Sequence, residues 1–308
     1  MKLTYIITAH NYPQMLERLI ERLKGDEISF IVHIDAKSKK DFSFDRLYKI
    51  GVNMLIINNV DWGGYSQVDA VLKCCKKALE INGNDGYCIL LSGTDYPVKS
   101  SSYIQNYLIN NFYDYITGYP LPHMMNWLEG GRRKISCYAL RIAPQKIATI
   151  EPHVYNWNNL RQFMKVLRYN PSKFSYALKI LFTYSLRVHP SYIKPYGGEF
   201  WWGLRMNTIK DILAFLEIHR DFEIWHHDTA NPDEMFMNSL VYNLSKPNEI
   251  RNSCLRYIHW ENGRGNSPGF IKDRKLIDGL IAHPDYLFAR KINDCSVCDY
   301  IDSKIVTY

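Results

Sequence analysis

The sequence predicts an α/β protein on a mainly parallel, Rossmann-like sheet flanked by helices, and two observations carry that expectation. Over the first 110 residues short apolar runs alternate with longer amphipathic ones, strand then helix then strand, which is the order that crossover helices impose on parallel strands. A chain of 308 residues, 46% hydrophobic and 22% charged, is also long enough to bury a substantial core as one large or two fused domains.

The elements follow in order. Residues 3–8 read as the first strand and 12–24 as its helix; strands near 29–34, 53–57 and 87–91 follow, with helices near 66–82 and 101–110. Ligands of such sheets sit at the carboxyl ends of the strands. His33 and Asp35 end one strand and the Ser92 to Asp95 turn ends another, so these polar clusters are expected where a nucleotide would bind. The plainer alternative is that Asp35 caps a turn and Asp95 precedes one. From about 197 the strand pattern resumes with Glu199-Phe200-Trp201-Trp202, then a helix near 207–218 and another strand over 255–260, while Gly263 to Gly269 reads as a loop.

Residues 152–196 stand apart. They hold seven Lys or Arg and no Asp or Glu, a local charge equal to the formal net charge of +7, interleaved with aromatic residues. Leu160, Phe163, Met164 and Leu167 recur at helical spacing, and Pro171 separates this helix from a second near 173–187. Such a hairpin suits an anionic membrane surface, a solvated helix pair over an acceptor site, or an acidic glycan. Nucleic acid is not expected, since no recognised motif accompanies the charge.

Residues 228–234, Asp-Thr-Ala-Asn-Pro-Asp-Glu, lead into an amphipathic run from Met235 to Leu244. Asn231 reads as an N-cap and Pro232 as the first helical residue, which places Asp233 and Glu234 in the first turn, near the positive end of the helix dipole. Glu234 is thereby the candidate general base, although capping alone also puts acids at helix starts. The adjoining His226, His227 and Asp228 offer a rival metal-dependent hydrolase site, but adjacent histidines lack the helix-face spacing of a typical ligand pair.

No apolar run is long enough to cross a bilayer, and the chain opens on a strand-like segment rather than a signal sequence, so a soluble cytoplasmic protein, peripheral at most on the inner face of the membrane, is expected. The seven cysteines follow no disulfide framework. Cys295 and Cys298 have a metal-ligand spacing without a second pair, which favours reduced thiols.

Eight short segments carry a resemblance: Leu3 to His10, Ile31 to Ser38, Trp62-Gly63-Gly64-Tyr65-Ser66-Gln67-Val68, Leu90 to Pro97, Gly197 to Trp202, Pro232-Asp233-Glu234, Leu255 to Trp260, and Leu287-Phe288-Ala289-Arg290-Lys291. In this order and spacing the chain resembles the core-2/I-branching β-1,6-N-acetylglucosaminyltransferase and peptide O-xylosyltransferase family, as a bacterial member without a membrane anchor. The resemblance implies a single GT-A-like glycosyltransferase domain over 1–308, with a nucleotide-sugar half at 1–115 and an acceptor and catalytic half at 116–308 that includes the basic insertion 152–196.

It also implies an inverting transfer of N-acetylglucosamine or xylose from a UDP-sugar to a glycan or lipid-linked acceptor, in surface polysaccharide or glycolipid synthesis. Glu234 would be the base, and Arg290 and Lys291 would grip the diphosphate. His33, Asp35, Trp62 and Asp95 would line the donor; Ser92, Glu199 and Trp260 would meet the substrates. The chain contains no Asp-x-Asp, so no metal cofactor is expected and side chains must supply the counter-charge. Arg264, Lys272 or Arg274 would stand in for a further family arginine, and Glu199, where the family has a neutral residue, is a rival base. A non-catalytic glycan- or membrane-binding protein is the remaining alternative.

Overall fold

The computed structural model describes residues 1–123, 127–260 and 267–305. Its strands are β1 (Leu3–Ala9), β2 (Ile28–Asp35), β3 (Met54–Asn58), β4 (Tyr87–Ser92), β5 (Asp95–Pro97), β6 (Asp114–Pro120), β7 (Tyr138–Ala143), β8 (Lys146–Ile150), β9 (Tyr196–Arg205), β10 (Ile250–Arg251), β11 (Arg256–Ile258) and β12 (Phe288–Arg290). A seven-stranded sheet has the order β10-β6-β9-β4-β1-β2-β3. The pairs among β4, β1, β2 and β3 and the β10·β6 pair are parallel; β9 runs antiparallel between β4 and β6. The mixed α/β architecture is the one the alternating pattern predicts, and strands from both halves of the chain share one sheet.

The helices that cover this sheet form where apolar residues recur at helical spacing. Pro13–Leu23 buries Met15, Leu16, Leu19, Ile20 and Leu23 on one stripe. Tyr65–Asn82, Met206–Ile218 and Phe236–Leu244 share a second core with Trp202 and Ile116 on the other face. Two smaller sheets, β11-β12-β5 and the β7-β8 hairpin, complete the chain.

Several elements depart from the periodicity reading. Residues 118–120 belong to β6, whose Gly118 and Pro120 disguise a strand that is zipped between β9 and β10. The β7-β8 hairpin was not predicted; it supplies the apolar floor on which Trp157–Tyr169 and Phe174–Thr183 pack. That second helix stops at Thr183, because Tyr184 turns to extended backbone, rather than reaching 187. Cys295 and Cys298 lie on a C-terminal helix, Cys295–Lys304, started by the Asp294 side chain accepting from the Ser296 amide; all seven cysteines are free.

Candidate active site

A charged node forms where the small sheet meets the large one. Strand register sets Arg290 of β12 opposite Asp95 of β5. Asp95 is wholly buried, and its Oδ1 accepts from Arg290 Nη1 at 3.0 Å and from Ser92 Oγ at 3.0 Å. Its Oδ2 accepts from the Ser92 amide at 3.0 Å and from Arg256 Nη1. Arg256 also donates to the carbonyls of Leu90 at 2.6 Å and Cys254 at 3.1 Å. Both guanidinium groups lie over the Trp201 ring, Arg290 at 4.2 Å and Arg256 at 5.0 Å from its centroid. A carboxylate with no exposure is tolerable only when paired and hydrogen-bonded, and two guanidiniums on one carboxylate leave an excess positive charge.

This arrangement corrects the direct-contact roles expected of Asp95 and Ser92. Both are buried inside the node, where they orient Arg290 rather than face a ligand. Gly93 serves chain packing: its amide donates to Thr8 at 2.9 Å, and a Cβ there would sit 3.3 Å from Ala9 Cβ. Lys291 follows at the edge of the node, with Nζ 2.5 Å from Ser267 Oγ. Burial holds its ammonium below the usual lysine range, Arg290 adds to the shift and Asp95 opposes it.

Glu234 is built differently from the expected helix start. Asn231 is left-handed (φ 48°) and caps nothing with its side chain, Pro232–Glu234 is a single 3-10 turn, and the α-helix begins only at Phe236. The acids therefore precede the helix, and the charge that meets Glu234 is a lysine. Lys134 Nζ lies 2.7 Å from Glu234 Oε2, with the glutamate side chain 35% exposed and the lysine 10%. Lys134 also reaches the carbonyls of Ala230 and Asn231 at 3.3 and 3.4 Å. Neighbouring Asp233 has a buried Oδ1 with no partner; burial first, then the charge of Glu234, push its carboxyl up to about 7.

The glutamate turn is fastened to the Trp62 loop. The Asn231 amide donates to the Gly63 carbonyl at 3.1 Å, and the Gly63 amide to Gln67 Oε1 at 2.8 Å. Gly63 has φ +65°, and a Cβ on it would fall 2.3 Å from Asn231 Oδ1, so only glycine suits both the turn and the approach. Trp62, beside it, is 42% exposed, an open indole face at the edge of the sheet.

The other expected residues separate. Asp35 ends β2 with Oδ1 accepting from the Lys37 amide at 3.1 Å and Oδ2 3.6 Å from Lys37 Nζ. His10, at the end of β1, is influenced by Asp35, Arg290, Lys291 and Lys37, which brings the ends of β1, β2 and β12 to one place; desolvation leads in lowering its pKa. His33 does not belong there. It is buried inside the sheet, its Nε2 has no partner, and burial lowers it to about 4, so a neutral core histidine replaces the expected nucleotide contact. Glu199 is half-buried on β9 within electrostatic reach of Arg290, and its carbonyl accepts from Asn238 Nδ2 at 3.2 Å. Trp260 is half-buried just beyond β11, next to His259, whose amide donates to the Arg290 carbonyl at 2.9 Å.

Arg264 lies outside the described residues, and Lys272 and Arg274 are exposed at the start of helix Arg274–Ala282. His226 is fully buried with Nδ1 2.9 Å from the Phe222 carbonyl, and the His227 ring lies 4.1 Å from that of Tyr65. Among the described residues no group of three or more His, Cys, Asp or Glu is placed to hold a metal ion. Lys134, Arg256 and Trp201 were not singled out from sequence. An arginine in the apolar run 255–258 hinted at a buried partner; Lys134, last of Arg132-Arg133-Lys134, looks like any solvated basic run.

Fold and site together define the class: an α/β domain whose charged and aromatic residues gather at the carboxyl edge of a mainly parallel sheet. Residues 3–127 match the family model of the Core-2/I-Branching enzymes. A β-1,3-galactosyl-O-glycosyl-glycoprotein β-1,6-N-acetylglucosaminyltransferase 4 of Danio rerio is 23% identical over 256 residues, 82% of this chain and 52% of that protein. The Bos taurus β-1,3-galactosyl-O-glycosyl-glycoprotein β-1,6-N-acetylglucosaminyltransferase is 28% identical over 107 residues, 32% of this chain and 24% of that one. The chain thus matches about half the length, or less, of these two relatives. The crystal structure of mouse xyloside xylosyltransferase 1 in its apo form overlays 84% of this chain and 88% of that one at 10% identity and a TM-score of 0.34, below the level at which folds are equated.

Proposed function

We propose that the protein is an inverting, metal-independent glycosyltransferase of GT-A type. It moves N-acetylglucosamine or xylose from a UDP-sugar to a hydroxyl of a glycan or lipid-linked acceptor, in the making of a surface polysaccharide or glycolipid. The observation that carries this reading is the Glu234 carboxylate, partly open to solvent, paired with Lys134 and set in a turn hydrogen-bonded to the exposed Trp62 loop. In this reading Glu234 takes the proton of the acceptor hydroxyl as its oxygen attacks the anomeric carbon from the face opposite the diphosphate. The bond from that carbon to the diphosphate oxygen breaks, and UDP leaves with the electron pair.

The leaving diphosphate needs a counter-charge. Arg290 and Lys291 supply it, the first held rigid by Asp95 and Ser92 and the second at the node's edge. Trp62 and Asp35 flank the uridine, and Trp260 and Glu199 face the acceptor. The reading places the protein on the inner face of the cell membrane; among the described residues no helix is long and apolar enough to cross one. A screen of nucleotide sugars that measures nucleoside diphosphate release, with and without a chelator, tests the proposal. UDP release that persists in EDTA is expected; no turnover of any UDP-sugar, or turnover abolished by EDTA and restored by Mn²⁺, overturns it.

A further inference from the structure

The helix Trp157–Tyr169 has two faces, and only one belongs to the fold. Asn159, Phe163 and Val166 point into the core formed with the β7-β8 hairpin. On the outer side, Trp157 is 64% and Met164 58% exposed, and Leu160 and Leu167 are exposed beside them. At ~100° per residue these four fall within an arc of roughly 80°, and Arg168, Arg161 and Lys165 occupy the adjoining arc of roughly 60°. All three basic residues are exposed. The apolar stripe continues past the helix start through Tyr155, whose ring lies 5.9 Å from that of exposed Phe182.

We propose that this face docks on an anionic lipid bilayer. An apolar stripe with large exposed side chains, bordered along one edge by cations, is the arrangement of a helix lying in the membrane interface. An acidic glycan or a nucleic acid would engage the cations but has no use for Leu160, Met164 and Leu167. A second copy of the chain would bring the same basic border against itself. Glu151 and Glu129, which meet this helix at Asn159 and Asn158, are paired with Arg132 at 2.8 Å and 3.7 Å.

The hairpin is also fixed to the candidate active site. Arg187, buried just beyond the second helix, donates to Thr229 Oγ1 at 2.5 Å and to the Lys134 carbonyl at 2.7 Å, with its guanidinium 3.7 Å from the Trp225 centroid. A bilayer seated on the helix is thereby held at a set distance from the turn that carries Glu234. That geometry suits an acceptor presented from the lipid surface, though docking itself does not depend on the transfer reading.

Flotation of the full chain with vesicles tests the docking directly. Phosphatidylcholine vesicles should recruit little protein, and vesicles of phosphatidylcholine mixed with phosphatidylglycerol in equal parts should recruit it, with loss in high salt. Arg161→Gln, Lys165→Gln and Arg168→Gln together should weaken binding about 10²-fold, from the surface attraction of each charge. Leu160→Ser, Met164→Ser and Leu167→Ser together should also abolish recruitment; all six side chains are exposed, and an unchanged thermal midpoint checks the fold. Equal recruitment to both vesicles, recruitment to neither, or anionic binding that survives the apolar triple and is competed by an acidic polysaccharide overturns the proposal.

Discussion

Replacing Glu234 by glutamine removes the proton acceptor and little else. The amide oxygen of Gln can still accept from Lys134 Nζ, which now sits 2.7 Å from Oε2 and retains the carbonyls of Ala230 and Asn231. What is lost structurally is one partly screened ion pair, about 1–2 kcal/mol, or a thermal midpoint lower by a few degrees. What is lost chemically is the base, ~10²–10⁴-fold in turnover, equivalent to ~3–5 kcal/mol of barrier. The barrier change exceeds the stability change, and it concerns a protein that remains folded at assay temperature. Turnover of a UDP-sugar with acceptor, donor affinity by calorimetry and the thermal midpoint are therefore measured on one preparation. Intact donor affinity with lost transfer is the expected result. Glu199→Gln is the matched comparison, because Glu199 is the rival base and lies within electrostatic reach of Arg290. Near-normal transfer by Glu234→Gln beside an inactive Glu199→Gln would refute the reasoning and move the base to β9.

Three other outcomes are expected. Lys291→Ala should weaken UDP binding roughly 10–100-fold by loss of a charge-assisted contact while leaving the midpoint unchanged; an unaltered affinity in calorimetry would show an ordinary surface lysine. Asp95→Asn should destabilise the protein by ~3–5 kcal/mol, since Arg256 and Arg290 lose their shared counter-charge; an unchanged urea midpoint would contradict the node. Asp233, pushed up from 3.8 to about 7, is an acid whose folded form favours the proton, so native stability falls as pH rises through that interval and the penalty is complete above it. Asp233→Asn should accordingly match the parent near pH 4 and be more stable at pH 8, and parallel pH–stability curves for the two proteins would dispose of the idea.

Local order was legible in the sequence wherever a period decides it. The strands β1 to β4 and the helices Pro13–Leu23, Tyr65–Asn82 and Met206–Ile218 follow from alternating apolar runs. Asp35 ends β2 and the Trp62 loop follows β3. Short pieces escaped, because β5, β10 and β12 have only two or three residues each and take their strand character from neighbours remote in sequence; β11, no longer than these, falls inside the strand expected over 255–260.

Tertiary structure alone decided which charges meet. Asp95 and Arg290 are 195 positions apart and Lys134 and Glu234 are 100 apart, so no local pattern could pair them. It also decided which way a polar residue in a strand faces. In β2, buried on both sides, apolar neighbours flank His33 whichever face it takes, and the sequence cannot distinguish a core histidine from a ligand at the edge. The same holds for the basic segment: its composition announced charge and aromatic surface, but only the packing of Phe163 and Val166 onto the β7-β8 hairpin determined that Leu160, Met164 and Leu167 remain outside. Periodicity encodes an element's own geometry, whereas burial and pairing depend on what the rest of the chain brings against it.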